Sequence, residues 1–366
     1  MRFPIRSGMT ERRVTMTYRS IGLMSGTSAD GLDVCCATFT LKDGHWSYKI
    51  ECAKGYDYPP DLRNTLINNV QNMSAKEFIT FHSQYGHYLG QKVNEFINEF
   101  HIAKPDLIAS HGSTVFHEPD KGIMFQIGDG AAIAAETGIP TVSDFRRLDI
   151  MLGGQGAPLV PVGDRALFGE YDYCLNIGGF SNISYDEGEK RIAFDISPVN
   201  YVINHYTRKI GLEMDRDGEI ATKGIIDQYL LQQLNSLDYY TAKPPKSLAR
   251  EWVERNVFPL INSSQLTLED ILRTYYEHCA IQLARVTKPA SRILVTGGGA
   301  WNKFLISRMA DLSKCTLAVP EPEVVQYKEA LIFAFLGVLY MTNTPSCLKS
   351  VTGAAKDNIG GMLFKV

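Results

Sequence analysis

The sequence lacks the features that mark several common classes of protein. Its 366 residues include seven cysteines but no C-x-x-C pair, which argues against a disulfide framework or a zinc site. The net charge of -3 shows no basic excess, so nucleic acid is not expected as a partner. No apolar run has the length needed to cross a bilayer, and the basic residues 1–19 lack the apolar segment of a secretory signal. We therefore expect a cytoplasmic protein without a membrane partner.

Two familiar nucleotide-binding motifs are also missing. The stretch IGLMSGTSADGLD at residues 21–33 has no lysine after its glycines, so it is not a G-x-x-x-x-G-K-[ST] loop. The triple glycine at residues 297–299 does not fit G-x-G-x-x-G. The chain length is typical of about two domains, and the composition is that of an ordinary globular protein.

Residues 21–33 instead predict a strand, a tight polar turn and a return strand. Glycine and hydroxyl residues let backbone N–H groups approach an anion, so the turn is a candidate phosphate site. Asp30 and Asp33 are candidates to hold Mg²⁺ through water, because this ion keeps several waters and takes one or two carboxylates. An ordinary Gly-Asp turn is the alternative. The candidate residues in this first hairpin are Gly26, Thr27, Ser28, Ala29, Asp30, Gly31, Leu32 and Asp33.

A similar pattern recurs after the glycine-rich break at residues 153–158, which is a candidate domain boundary. Residues 173–177 predict a strand, Gly178 and Gly179 begin a polar turn, and residues 183–185 predict the return strand. Two facing hairpins can hold a polyphosphate from both sides. Gly297, Gly298 and Gly299 follow another predicted strand, where bare backbone lets a flat group or a phosphate lie close.

Polar residues stand at the ends of several predicted elements. His111 follows strand 107–110, where ligands bind in open α/β sheets, and it either contacts a substrate or is a satisfied structural histidine. Asp195 ends strand 192–196 and is a candidate general base, with a turn or capping role as the alternative. Glu329 lies near the start of the predicted apolar helix 328–341, either as a helix-terminal charge or as an acid that faces a substrate.

The remaining hydrophobic periodicity predicts further strands and helices. The helix at 74–100 carries an aromatic stripe that we interpret as core packing, and the loop at 353–361 is expected to return to the first domain. The polar loop at 215–218 has no assigned role. Further strands are predicted at residues 18–24, 34–41, 46–53, 141–144 and 292–296, and further helices at 60–72, 131–137, 202 onward, 222–261 with a break, 268–286 and 300–312.

Taken together, the motifs resemble those of one family. From about Arg19 onward the order is IGLMSGTSADGLD, ASHGSTVFHEP, SDFRRLD, GGQGAPLVP, LNIGGFSNIS, FDISPVN, MDRDG and VTGGGAWN. This order resembles the anhydro-N-acetylmuramic acid kinases, of the superfamily of sugar kinases, actin and actin-like heat-shock chaperones. The resemblance implies an α/β fold with two ribonuclease-H-like (actin-like ATPase) domains and the active site in the cleft between them. It implies a tail at 1–18, domain I at 19–150 plus 342–366, and domain II at 151–341.

The resemblance also implies an activity, which uses ATP and Mg²⁺. Water opens the anhydro bond of 1,6-anhydro-N-acetylmuramic acid, and O6 takes the γ-phosphoryl group, which gives N-acetylmuramic acid 6-phosphate in peptidoglycan recycling and amino-sugar catabolism. Asp195 would be the catalytic aspartate, the two hairpins would bind phosphates, and residues 297–299 would border the adenosine. Glu329 and Thr114 would lie at the sugar site, where Arg146 or Arg147 would pair with the sugar carboxylate. A homodimer is expected by resemblance alone.

The sequence departs from the family pattern at two places. Residues 197–200 read SPVN where many members have Gly-Pro-Gly-Asn, and Leu148 stands where many have a third arginine. Because Ser and Val lack the backbone freedom of glycine, we expect an altered loop path beside Asp195. A kinase of a related anhydro or amino sugar is therefore one alternative, and a non-catalytic actin-like ATP-binding scaffold is another. We expect a depressed or unshifted pKa for Asp195, which keeps it ionised at neutral pH.

Overall fold

The computed structural model describes residues 15–26, 29 and 31–366. Thr27, Ser28 and Asp30 of the first predicted hairpin lie outside the described residues, so their predicted roles stay predictions. The strands are β1 (Met16–Met24), β2 (Gly31–Lys42), β3 (His45–Asp57), β4 (Leu107–Ser110), β5 (Ser113–Glu118), β6 (Ile123–Ile127), β7 (Thr141–Ser143), β8 (Tyr173–Ile177), β9 (Phe180–Glu187), β10 (Lys190–Pro198), β11 (Arg292–Thr296), β12 (Thr316–Ala318) and β13 (Met362–Phe364).

Helices follow and separate these strands. The α-helices are α1 (Pro60–Asn64), α2 (Ala75–Glu99), α3 (Gly130–Thr137), α4 (Arg147–Met151), α5 (Val160–Leu167), α6 (Asn200–Arg208), α7 (Gln228–Asn235), α8 (Arg250–Asn256), α9 (Phe258–Ser263), α10 (Leu268–Val286), α11 (Lys303–Ser313), α12 (Pro322–Met341) and α13 (Lys349–Thr352). Short 3₁₀ or π turns lie at Thr65–Asn69, Val70–Asn72, Pro119–Lys121, Arg216–Gly218, Ala221–Lys223, Asp238–Tyr240 and Gly298–Trp301.

The two larger sheets have the same topology. The first has the order β3-β2-β1-β4-β7, with β13 added beyond β7, and the second has the order β10-β9-β8-β11-β12. In each sheet the first three strands form an antiparallel meander, and the first strand then pairs in parallel with the fourth. This repeated order is the ribonuclease-H-like arrangement, so the predicted α/β fold with two such domains is confirmed. The hairpin β5–β6 forms a separate small sheet.

Helix α12 is the central packing element between the sheets. It packs on β1, β2 and β4 of the first sheet and also contacts β11 of the second. Gly22 of β1 permits the close approach, because a Cβ atom there would lie 1.9 Å from the carbonyl oxygen of Ala330. The helix begins at Pro322, which suits the first helical turn. Glu329 therefore lies inside the helix, so its interpretation as a helix-terminal charge is wrong.

Helix α12 also corrects an expectation about long apolar runs. Among the described residues, α12 is the one helix that is both long enough and apolar enough to cross a membrane. From the sequence we expected no such helix. However, 72% of its apolar window is buried inside the protein, which is typical of a core helix. The predicted domain II range of 151–341 ends with this helix, although its main contacts are with the first sheet. The domain division stays a proposal, and this packing favours moving α12 to domain I.

Four segments were predicted with their observed bounds. The predicted strands 107–110, 173–177 and 292–296 and the helix 268–286 have the bounds of β4, β8, β11 and α10. The prediction missed the hairpin β5–β6 and the elements α4, α5, β12 and β13. Each of these has at most eight residues, and a segment that short shows no clear hydrophobic periodicity. The chain does return to the first sheet, where β13 pairs antiparallel with β7. Strand β1 begins at Met16, inside the predicted tail.

Candidate functional site

A cleft of about 580 Å³ lies between the two sheets, and three of the predicted site residues line it. Arg146 comes from the segment before α4, Asp195 from β10 of the second sheet, and Glu329 from α12. Among the predicted site residues, the cleft thus brings together one guanidinium group and two carboxylates that are far apart in sequence.

Asp195 lies within strand β10, next to a β-bulge, and is half-buried. The Leu248 N–H donates a hydrogen bond of 2.8 Å to Oδ2 of Asp195. Burial raises the pKa of the Asp195 carboxyl, and this hydrogen bond opposes the increase only in part. Our expectation of a depressed or unshifted pKa is therefore wrong. A raised pKa makes this carboxylate a stronger proton acceptor than an exposed aspartate.

The SPVN departure is accommodated without left-handed backbone, although Val199 has φ -128° and ψ -90°, outside the usual helical and extended regions. Ser197 and Pro198 continue strand β10, and none of the residues 197–200 has a positive φ. Ser and Val therefore fit here without left-handed strain. The other departure, Leu148, is exposed on α4 and does not line the cleft.

Arg146 is held by a buried histidine. Its Nε and Nη2 atoms donate to Nε2 of His111 at 3.1 and 2.9 Å, and its Nη1 donates to the Gly156 carbonyl at 2.7 Å. Burial, followed by the Arg146 charge, lowers the pKa of His111 to about 3, so this imidazole is neutral. The other ring nitrogen, Nδ1, then donates to the Gly112 carbonyl at 2.8 Å. His111 is 5% exposed and supports Arg146 from behind, as a satisfied structural histidine.

The structure separates Arg146 from Arg147. Arg147 lines a second pocket of about 150 Å³ and forms an ion pair of 3.1 Å with Asp144. Thr114 lies on β5 and accepts a hydrogen bond of 3.4 Å from Gln126, and it does not line the cleft. Of the two arginine candidates, Arg146 alone faces the cleft.

Besides burial, the charge of the Glu329 carboxylate is close enough to raise the pKa of Asp33 on strand β2. The Glu329 side chain is accessible from the cleft, yet protein surrounds it, and this burial raises its pKa against the opposing charges of Lys328 and Arg146. Burial, and next the Glu329 carboxylate, raise the pKa of Asp33 to about 6. A cation bound beside Asp33 would relieve this repulsion, so the residue fits the predicted role as a Mg²⁺ partner.

The second glycine turn presents a backbone donor. The carbonyl of Gly178 accepts from Asn200 N–H at 3.3 Å, and the Gly179 carbonyl accepts from Val199 and Tyr201 N–H at 2.8 and 3.1 Å. In a trans peptide the N–H points away from the carbonyl, so the Gly179 N–H points away from α6. Among the described residues it has no protein acceptor. The turn therefore fits an anion such as a phosphate.

Each of the three glycines at residues 297–299 has its own reason to lack a side chain or to leave its backbone open. A Cβ atom on Gly299 would lie 2.3 Å from the Ile177 side chain, so this glycine is needed for packing against β8. A Cβ atom on Gly298 would meet no atom within 4 Å, so its backbone faces open space. Gly297 has a φ of 80°, a conformation that favours glycine. The turn thus leaves bare backbone beside β8.

Comparison with known proteins agrees with the resemblance in the sequence. The sequence profile of the anhydro-N-acetylmuramic acid kinase family matches residues 18–366. The chain belongs to this family. The anhydro-N-acetylmuramic acid kinase of Vibrio parahaemolyticus serotype O3:K6 (strain RIMD 2210633) is 34% identical over 368 residues, which cover 94% of this chain and 97% of that protein. The one from Shewanella sp. (strain ANA-3) is 36% identical over 375 residues, with 94% and 98% covered.

Among solved structures, a gluconate kinase from Lactobacillus acidophilus is similar, with a TM-score of 0.41 and 12% sequence identity. The match covers 88% of this chain and 90% of that one.

In this member of the anhydro-N-acetylmuramic acid kinase family, the cleft also contains residues that the sequence analysis missed. Lys328 and Asp164 form a buried ion pair of 3.1 Å that lines the cleft. Asp164 also accepts a hydrogen bond of 2.6 Å from Ser184, which in turn accepts one of 2.9 Å from Arg191. The pair joins α5 to α12 across a large separation in sequence. Lys328, next to the apolar run 330–341 of α12, was the one available signal, and Asp164 had none.

The MDRDG motif borders the triple glycine in this family member. Asp215 is buried and accepts from the N–H groups of Ile220 and Ala221 at 2.8 and 3.2 Å. Its carbonyl accepts a hydrogen bond of 3.3 Å from Asn302, which caps α11 just after the glycine turn. The motif therefore holds the glycine turn in place, a role that the sequence analysis left open.

Proposed function

We propose that the protein is an ATP-dependent kinase that opens 1,6-anhydro-N-acetylmuramic acid with water and phosphorylates O6. The product is N-acetylmuramic acid 6-phosphate, for peptidoglycan recycling and amino-sugar catabolism. The observation that supports this best is that Asp195, Arg146 and Glu329 line one cleft between two ribonuclease-H-like domains, in a chain of this family.

Asp195 is the proposed general base. Its carboxylate takes a proton from water as the water oxygen attacks C1 of the sugar. The C1–O6 bond breaks and its electron pair stays on O6. O6 then attacks the γ-phosphorus of ATP, the bond from this phosphorus to the β,γ-bridging oxygen breaks, and ADP leaves with that electron pair. The raised pKa of Asp195 supports this role, because a base is most effective when its pKa approaches the working pH.

Arg146 is the proposed partner of the sugar carboxylate. His111, Gly156 and Arg146 are already joined by hydrogen bonds, so the guanidinium group is oriented before substrate binds. An oriented guanidinium recognises a carboxylate in a forked geometry. Glu329 lies close enough to interact with the charge of Arg146, and we assign it to the sugar hydroxyls. Thr114 and His111 support this side of the cleft from outside it.

Nucleotide binding is assigned to the three glycine-containing turns. The first hairpin, residues 26–33, and the turn at Gly178 and Gly179 hold the phosphates, and residues 297–299 border the adenosine. Asp33, with Asp30, is the proposed Mg²⁺ partner through water. Bound Mg²⁺ neutralises charge on the transferring phosphoryl group. We further propose a cytoplasmic homodimer, which light scattering of the purified protein tests.

Product analysis in heavy-oxygen water tests the proposed reaction. The protein is incubated with Mg-ATP and 1,6-anhydro-N-acetylmuramic acid, and the sugar is analysed by mass spectrometry. We expect a 6-phosphorylated sugar with the heavy oxygen at C1. A phosphorylated sugar without the label would contradict the coupled hydrolysis.

The SPVN segment keeps a related anhydro or amino sugar as the second candidate substrate. Parallel rates on several such sugars separate the two candidates. ATP turnover that no sugar increases would favour an ATP-binding scaffold instead.

A further inference from the structure

A loop from the second half of the chain encloses Asp195. We propose that the segment 238–248, and Tyr239 in particular, positions the Asp195 carboxylate for proton transfer. This inference rests on the proposed function, in which Asp195 is the general base. The segment reads DYYTAKPPKSL, contains the 3₁₀ turn Asp238–Tyr240 and ends shortly before α8.

Three hydrogen bonds join this segment to Asp195. The Tyr239 hydroxyl donates to the main-chain oxygen of Asp195 at 2.6 Å, and the Asp195 N–H donates to the Lys246 carbonyl at 3.3 Å. The Leu248 N–H donates to Oδ2 of the carboxylate at 2.8 Å. Among the described residues, Oδ1 accepts no hydrogen bond from the protein. The segment therefore holds the backbone and one carboxylate oxygen, and leaves the other oxygen to accept a proton.

Lys246 fixes Tyr239 within the segment. Its ammonium group donates to the Tyr239 carbonyl at 3.0 Å and lies 4.5 Å from the centre of the Tyr239 ring. The same ammonium lies 5.6 Å from the ring of Phe194, which precedes Asp195 in β10. Lys246 thus contacts Tyr239 within the segment and also Phe194 on the strand that carries the Asp195 carboxylate.

Tyr240, the next residue, is anchored elsewhere. Its hydroxyl lies 3.0 Å from Nε2 of His278 on α10, a histidine whose side chain is fully buried. Adjacent tyrosines therefore divide two tasks: Tyr239 contacts the Asp195 backbone, and Tyr240 attaches the segment to the core. This pair provides a matched comparison, because both hydroxyls are partly or fully buried and only one contacts Asp195.

The segment controls how readily Asp195 gives up its proton. A hydrogen bond from a backbone N–H favours the ionised form of a carboxylate and lowers its pKa. If the segment is displaced, the Leu248 N–H no longer offsets the effect of burial, so the pKa of Asp195 rises further. Tyr239 is the titratable group of the segment whose charge interacts with that of Asp195. The cleft around Asp195 is also lined by other titratable groups, which are His117, Arg146, Asp164, Lys246, Lys328 and Glu329.

Tyr239→Phe tests the proposal in the full-length protein with Mg-ATP and the anhydro sugar. Single-turnover rates are measured from pH 5 to 8, together with the KM for ATP. We expect the rate to fall roughly tenfold, since part of the benefit of a positioned base is lost. We expect the inflection on the acid side to move upward by about half a pH unit, the scale of one weakened hydrogen bond. The KM for ATP changes less than twofold.

Tyr240→Phe is the matched control, and its inflection stays at the wild-type pH. An unchanged inflection and rate in Tyr239→Phe would overturn the proposal. Equal shifts in the two variants would also overturn it, because a general loosening of the loop would then explain both.

A pair of Lys246 variants decides the matter if Tyr239→Phe does not fold. Lys246→Gln removes the charge but keeps a donor toward the Tyr239 carbonyl, whereas Lys246→Met removes both. We expect the acid-side inflection to lie at higher pH in Lys246→Met than in Lys246→Gln. Identical pH–rate profiles in Lys246→Gln and Lys246→Met would contradict a positioning role, because loss of the hydrogen bond to the Tyr239 carbonyl would then have no effect.

The failure of this inference is distinguishable from the failure of the proposed function. If wild-type protein makes no labelled sugar phosphate, or if Asp195→Asn retains its rate, the proposed function fails. If Asp195→Asn is inactive but Tyr239→Phe has the wild-type profile, the positioning role alone fails.

Discussion

The two sheets share one strand order but connect their first two strands differently. In the first sheet, residues 25–30 link β1 to β2, whereas in the second sheet Gly178 and Gly179 alone link β8 to β9. The carbonyl groups of this short turn accept hydrogen bonds from the N–H groups at the start of α6. The longer turn has Ser25 at its base, which accepts hydrogen bonds from the Tyr58 and Tyr85 hydroxyls at 2.7 and 3.1 Å. One topology thus supports two hairpins with connections of different length, and we propose that both bind phosphate.

The halves also place their charged groups differently. The first half builds a polar layer from His111 and Arg146 around the end of β4, and the second half puts Asp195 inside its third strand, under the segment 238–248. A duplicated scaffold has therefore specialised: in our proposal the first half recognises the sugar and the second half activates water. Variants in each half test this division.

The largest effect is expected in the second half. Asp195→Asn should reduce kcat by roughly 10² or more, because the general base is lost. ATP affinity, measured by calorimetry, should remain within about twofold, since the amide has nearly the same shape and size. Near-normal turnover would remove Asp195 from the proposed role and break the contrast between the halves.

The matching change in the first half is Arg146→Lys. A lysine ammonium cannot reproduce the forked geometry of the guanidinium, so the KM for the sugar should rise roughly tenfold to a hundredfold, the scale of a charged hydrogen bond. The KM for ATP should stay constant. Arg147→Lys, outside the cleft, should change the sugar KM less than twofold. Equal effects of the two substitutions would contradict the separation of these arginines.

Packing of α12 on the first sheet predicts a loss of stability. A Cβ atom on Gly22 would overlap the backbone of Ala330, so Gly22→Ala should destabilise the protein by about 3 kcal/mol, at the upper end for overpacking. The urea midpoint of unfolding measures this. Gly298→Ala, where a Cβ meets no atom within 4 Å, should change stability by less than about 0.5 kcal/mol. Similar losses in both variants would show that the close approach of α12 is not the cause.

The smallest effect compares two buried histidines, one in each half. Burial lowers the pKa of both His111 and His278 to about 3, whereas an unfolded histidine titrates near pH 6.5. Below about pH 6.5 the unfolded chain therefore binds protons that the folded chain excludes, so stability falls as the pH falls toward 3. Each histidine contributes up to about 1.4 kcal/mol per pH unit in this window.

Urea unfolding between pH 7 and pH 5 measures this dependence. His278→Gln should reduce the slope by the contribution of one histidine, whatever its effect on stability at pH 7. A slope identical to that of the wild-type protein would show that His278 is not excluded from protonation in the folded state.

Much of the fold was predictable because the pattern repeats. The periodicity that identified β4, β8, β11 and α10 comes from burial on fixed faces, and each half opened with a recognisable strand–glycine–strand pattern. The candidates Asp195 and Arg146 were found within the motifs, and Glu329 was found as a polar residue near the start of a predicted apolar helix. The buried pair of Lys328 and Asp164 was not predictable, since nothing in either local sequence refers to its partner.

The sequence by itself determined the family, the duplicated α/β architecture and the set of polar residues available to the site. Only the tertiary structure decided which of those residues face the cleft. It placed Arg146 in the cleft and Arg147 against Asp144, moved Glu329 from a helix end to a helix interior, and raised the pKa of Asp195. The physical reason is that motifs reflect local backbone geometry, whereas exposure to a cleft, ion pairing and desolvation depend on segments that approach from elsewhere in the chain.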